Sequence, residues 1–151
     1  MSTADRREHA VLLTKDNKSL QELYEHIKTT VLEKDLKLVV FANMIPVYYD
    51  ASDFLEALDV PFAALPPPRG MPGLEENVNS FRDPKGPKVI LATAAAAEGS
   101  LNFDVAWHMV FLDDIDPDLY KRCEGTVVRY GQTESAEIVL IRSGEDEEYE
   151  D

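Results

Sequence analysis

Apolar residues recur along the chain in two kinds of run, and the spacing within each predicts the element it forms. Leu20, Leu23, Tyr24, Ile27 and Val31 return at helical spacing, and Ser19 with Glu22 has the spacing of a capping box, so an amphipathic helix is expected over 19–33. Lys37 to Ala42, KLVVFA, is a continuous apolar run of strand length. Being apolar on both faces, it suits a buried parallel strand. Asp50 is the expected cap of a second helix with Phe54, Leu55 and Leu58 on its inner face, and Pro46 makes 43–49 a loop or an irregular first turn. Residues 60–64 read as a short strand. Leu65 to Gly73, with four prolines and two glycines, reads as a surface connection.

Leu74, Val78 and Phe81 then make a third helix, ending near Asp83-Pro84. Val89 to Ala92 and Met109 to Leu112 are short apolar strands, and a small-residue loop, AAAAEGSLNF, follows the first. Asp116-Pro117 has the form of an N-cap followed by proline at the first helical position, with Leu119, Cys123 and Val127 as that helix's buried face. Glu137 to Ile141 is the last strand. Strands alternating with helices predict an α/β domain with a mostly parallel sheet flanked by helices. Loops after parallel strands are where open α/β sheets place ligands, so residues 88–132 are the first place to look for a site.

Length and charge sharpen this picture. A chain of 151 residues is expected to form one domain, read as 16–143, after a flexible lead-in over 1–15 and before an acidic disordered tail over 144–151. The net charge is −14, and six acids lie between Glu145 and Asp151; without them the body still carries −8. Such a surface repels nucleic acid unless basic groups gather on one face, and its plain role is solubility. No apolar run is long enough for a transmembrane helix and residues 1–10 lack a signal-peptide core, so the chain is expected inside the cell. The single cysteine, Cys123, excludes an internal disulfide and a cysteine-rich zinc site, and its place on an apolar helix face predicts a buried, inert thiol. His9, His26 and His108 share no metal-ligand spacing, so no metal site is expected. Pro66-Pro67-Pro68 is read as a stiff loop, with a ligand for an aromatic-lined groove as the other possibility.

In this order, the fragments resemble the second RecA-like lobe of a superfamily-two helicase, most closely of the Swi/Snf type, over roughly residues 15–142. KLVVFANM resembles the strand ending in F-S-Q-M, with Ala42 and Asn43 at the Ser and Gln positions. LEENVNSFRDPKGPKVILAT resembles the helix, turn and strand leading into motif V. Ser100 to Phe103 stands where the family has G-x-N-L, keeping Asn102. VFLDDIDP resembles the strand and turn ending in Asn-Pro, with Asp116 for the asparagine. Gly125, Arg129, Gly131 and Gln132 coincide with positions of G-R-x-x-R-x-G-Q, motif VI.

The resemblance implies a RecA-like P-loop NTPase fold that contributes to an ATP site completed by a first lobe, in cis or in trans. ATP and magnesium would bind only with that lobe supplied. Glu98, Gly99, Gly125, Arg129 and Gln132 would then face the nucleotide, with Arg129 acting like an arginine finger. Asn43, Thr93 and Asn102 would face nucleic acid, and DNA-dependent chromatin remodelling in the nucleus is the implied setting. Three of these have a plainer reading: Arg129 as a solvated residue after a helix, Thr93 as a strand residue, Asn43 as a turn residue.

The departures bear on activity. Thr126 replaces the first arginine of motif VI, Arg122 replaces a glutamine one helical turn earlier, Ala94 to Glu98 replaces the glycine-rich start of motif V, and Leu65-Pro-Pro replaces L-D-G. Arginines of this kind are worth about 10³ to 10⁵ in rate, so catalysis is expected to be weakened or lost. No G-x-x-x-x-G-K-[ST] occurs anywhere, so the chain is not expected to hydrolyse ATP alone. Asp113-Asp114 imitates a magnesium-binding strand end, but without a phosphate cradle it reads as a strand and turn. The alternative function is a catalytically silent interaction module of the same fold, whose acidic tail binds basic proteins.

Overall fold

The computed structural model describes residues 8, 12, 14–15, 17–65, 74–93, 108–113, 117–118, 121 and 137–140, with the backbone alone at 74–75 and 137–140. Its centre is strand β1 (Leu38–Ala42), the KLVVFA run, buried at every position. β2 (Phe62–Leu65), β3 (Val89–Thr93), β4 (His108–Phe111) and β5 (Glu137–Leu140) complete a five-stranded sheet in the order β2-β3-β1-β4-β5. Every pairing is parallel, with Ala42 opposite Thr93 and Phe41 opposite Phe111. A parallel sheet covered on both faces needs apolar residues at successive positions, and β1 and β3 supply them without a break.

Alternate residues point to opposite faces. Leu38, Val40, Ala42, Val89, Leu91 and Val110 share one core cluster with Leu20 and Leu23 of helix α1 (Lys18–His26), with Ile27 just past its end, and with Tyr48, Phe54, Leu55 and Leu58 of helix α2 (Ile45–Leu58). Val39, Phe41, Ile90, Ala92, Met109 and Phe111 turn the other way and are also buried. Helix α3 (Leu74–Arg82) packs against β2 and β3 and buries Val78 and Phe81, which stand outside the first cluster. Phe41 and Phe111 stack at 5.4 Å between ring centroids, coupling the neighbouring strands β1 and β4.

Several boundaries differ from the sequence expectation, each for a local reason. The cap of α1 is Asn17, whose side chain accepts from the Leu20 N–H at 3.0 Å, not Ser19. The expected single helix over 19–33 changes at Ile27 into a π-helical segment (Ile27–Glu33), which buries Thr30 as well as Ile27 and Val31. α2 starts at Ile45 rather than after Asp50, because Pro46 lies in its first turn, where a missing N–H costs nothing. The short strand is Phe62–Leu65, shifted from 60–64. Thr14 is buried, and the Gln21 amide donates to the carbonyls of Thr14 (2.7 Å) and Lys15 (3.2 Å), tying the end of the lead-in to α1. The helix expected after Asp116 is described only in part, with Pro117 and Asp118 helical. Cys123, the Pro66–Pro68 run and 144–151 lie outside the described residues.

Lys37, just before β1, is buried with its ammonium donating to the carbonyls of Phe81, Asp83 (2.7 Å) and Pro87 (2.9 Å). A cation there suits the negative end of α3, and it also lies over the Phe81 ring. Burial, and then the charge of Lys88, lowers its pKa below the usual 10.5, against the opposing pull of Asp83 and Asp35.

Candidate functional site

The carboxyl ends of β1, β3 and β4 lie side by side, because β1 is hydrogen-bonded to both neighbours in parallel. This register brings two of the sequence-selected residues together. Thr93 ends β3 opposite Ala42, and Asn43 follows Ala42 directly. Asn43 is exposed, whereas the Thr93 side chain is buried.

A third residue organises this edge. Past the end of β4, the Leu112 N–H extends the ladder by donating to the Phe41 carbonyl at 2.9 Å. The Leu112 carbonyl accepts from the Ser19 hydroxyl at 3.2 Å, which is where the expected capping serine is used. The Asp113 carboxylate then accepts from the N–H groups of Asn43 (2.7 Å) and Met44 (2.9 Å), the two residues leading into α2. Met44 is the N-cap of α2 and makes no side-chain capping bond. The negative charge of Asp113 beside this helix start therefore does work that a capping side chain normally does. Asp113, read from the sequence as a strand-end imitation of a magnesium ligand, is a clasp for the β1–α2 turn. An acid immediately after a buried apolar strand was the signal available for it.

Among the described residues this edge is acidic and apolar rather than basic. Residues 42–46, 93 and 112–113 include no lysine or arginine. Met44, Ile45 and Tyr49 present large apolar surface around the start of α2. Recognition of a phosphate chain by these described residues would rest on neutral donors and backbone groups.

Glu98, Gly99, Asn102, Gly125, Arg129 and Gln132 lie outside the described residues, as do Arg122 and Thr126. Among the described residues no group of three or more His, Cys, Asp or Glu side chains is placed to hold a metal ion. No helix among them is long and apolar enough to cross a membrane.

No family model matches the sequence, and no curated protein does either. Solved structures match. The C-terminal part of the Fun30 ATPase domain superposes with a TM-score of 0.76 at 21% identity, over 85% of this chain and 43% of that one. The chain has the fold of a helicase C-terminal lobe. The Pyrococcus furiosus Hef helicase domain gives a TM-score of 0.65 at 17% identity, over 87% of this chain and 27% of its own. The lobe therefore spans less than half of either neighbour, and Asn43, Thr93 and Asp113 are residues of its carboxyl edge.

Proposed function

We propose that this lobe is the second half of a Swi/Snf-like, DNA-dependent ATPase, inactive alone and working against a first RecA-like lobe supplied in cis or in trans. The first lobe brings the phosphate cradle that the sequence lacks, and ATP with magnesium binds only in the assembled pair. Arg129 acts as the nucleotide-facing group, with Glu98, Gly99, Gly125 and Gln132 around the same nucleotide. Asn43, Thr93 and Asn102 lie toward the nucleic acid, and a nuclear setting follows from a chromatin role. The observation that carries this reading is the match to the C-terminal part of the Fun30 ATPase domain over 85% of the chain. The test is to mix the purified chain with a first lobe and measure nucleotide turnover with and without DNA. Turnover that appears on mixing and is lost in Arg129→Ala is the expected result; no coupling at any concentration overturns the proposal.

A second reading is favoured by Thr126 and Glu98, which depart from the arginine and small-residue pattern, and by an edge whose described residues lack cations. In it the lobe is a catalytically silent interaction module whose acidic surface binds basic proteins. Binding to histones that weakens with salt, in the absence of any first-lobe partner, would support it, since exposed charges are screened within roughly 10 Å at 0.1 M.

A further inference from the structure

A cavity of about 410 Å³ opens at the amino-terminal edge of the sheet, the edge opposite Asn43 and Thr93. Pro61 precedes β2, Pro87 and Lys88 precede β3, and Leu32 belongs to the π-helical segment that precedes β1. Its wall is mainly apolar, from Leu32, Val60, Pro61 and Pro87, and Leu32 is 48% exposed. Lys85 and Lys88 stand at the rim with Asp59, a balance of +1 within the lining of a chain that carries −14. Lys88 also faces the exposed Asp35 at 3.7 Å and the Pro84 carbonyl at 3.4 Å, while the Lys85 residue is exposed. An apolar slot with cations at its mouth fits an aromatic ring flanked by carboxylates.

The chain carries one segment of that description, Glu145-Asp-Glu-Glu-Tyr149-Glu-Asp151. We propose that this segment docks in the groove of its own chain, with the Tyr149 ring against Leu32 and Val60 and the flanking acids toward Lys85 and Lys88. Length permits it. β5 ends at Leu140 and is three strand spacings from β3. With about 4.8 Å per spacing and about 3.3 Å per residue along the strands, the two ends lie about 20 Å apart. Residues 141–149 reach about 30 Å when extended. Docking leaves the carboxyl edge uncovered, so it is independent of the catalytic reading. A basic partner of the acidic segment would have to displace it from the groove.

The test is solution NMR on the isotope-labelled full chain at low salt. The expected result is nuclear Overhauser contacts from the Tyr149 ring to the methyl groups of Leu32 and Val60, lost when Lys85→Glu and Lys88→Glu are introduced together. Each lysine reversal should weaken docking by about two- to fivefold. Tyr149→Ala leaves the groove intact and should shift the amide signals of Leu32, Gly86 and Lys88, which keeps the test decisive if the double variant misfolds. A Tyr149 ring with no contact to Leu32 or Val60, together with unshifted groove amides in Tyr149→Ala, overturns the proposal. Contacts found only between differently labelled chains in a mixed sample also overturn it and assign the groove to a second copy.

Discussion

The Asp113 carboxylate holds the N–H groups of Asn43 and Met44 at 2.7 and 2.9 Å, so the end of β4 fixes the turn by which the central strand β1 enters α2. Both bonds span about seventy residues of sequence, and both are made to an ionised acceptor. Asp113→Ala should cost about 1–3 kcal/mol, because hydrogen bonds to charged groups are worth more than neutral ones. Asp113→Asn keeps one carbonyl acceptor and should lose roughly half as much. Urea unfolding at neutral pH reads this as a lower midpoint with an unchanged slope. Equal stability of all three chains would mean that water replaces the clasp.

Gly86 closes the turn between α3 and β3. Its N–H donates to the Asp83 carbonyl at 2.8 Å, and the Asp83 side chain accepts from the Lys85 N–H at 2.9 Å, a turn built by Asp-Pro-Lys-Gly. A Cβ placed on Gly86 would sit 2.0 Å from the backbone carbonyl oxygen of Ser80, in the last turn of α3. Backbone cannot yield as a side-chain tip can. Gly86→Ala should therefore cost about 3 kcal/mol or more, in the range reserved for steric conflict in packed regions. Thermal unfolding checks it, and a loss below about 0.5 kcal/mol would show that the turn can move.

The continuous apolar runs of β1, β3 and β4 were legible because a strand covered on both faces needs no polar positions, and their burial bears that out. The order of elements and the fold class followed from them. Helix ends were less legible. Asp35 and Asp59 take the left-handed conformation, φ 57° and 64°, at the ends of the π-helical segment and of α2, where glycine is the usual marker. The Val60 N–H then reaches back to the Leu55 carbonyl, and the Leu36 N–H to that of Thr30, one residue further, as the wider π turn demands. Ser19 carried a capping signature but serves Leu112, a contact 93 residues away that no local pattern encodes. Of the residues selected for a site, Asn43 and Thr93 meet at one edge because the strands pair as they do. Asp113 joins them through tertiary hydrogen bonds invisible to spacing.

Lys37 is the buried cation on which the loop between α3 and β3 closes. Lys37→Met keeps the length and the apolar stem but leaves the carbonyls of Phe81, Asp83 and Pro87 without this donor. The expected loss is about 1–3 kcal/mol, the cost of unmade bonds reduced by the desolvation that the charge no longer pays. The pH dependence has a definite sign. Burial lowers the folded-state pKa below 10.5, so the unfolded chain binds this proton more tightly. Stability relative to Lys37→Met should therefore rise as pH climbs through the lowered pKa toward 10.5. A paired urea series from neutral to alkaline pH measures the difference, and a shrinking gap would contradict the assignment.

Tyr48 works in the opposite direction. Its side chain is buried against the sheet from α2, and burial first, then neighbouring Tyr49, raises the phenol pKa from 10.0 to about 12. A phenol that must stay neutral in the fold stabilises it fully below pH 10, and that contribution is lost as pH rises from 10 to 12. Two pKa units correspond to about 2–3 kcal/mol. Tyr48→Phe preserves the ring in the Tyr48–Tyr49 edge contact and cannot ionise, so its stability should fall less steeply over the same range. Urea midpoints of the two chains should differ little at pH 8 and diverge above pH 10. Parallel alkaline losses would place the Tyr48 hydroxyl in water, and α2 would then have to sit further from β1 and β3 than the packed cluster allows.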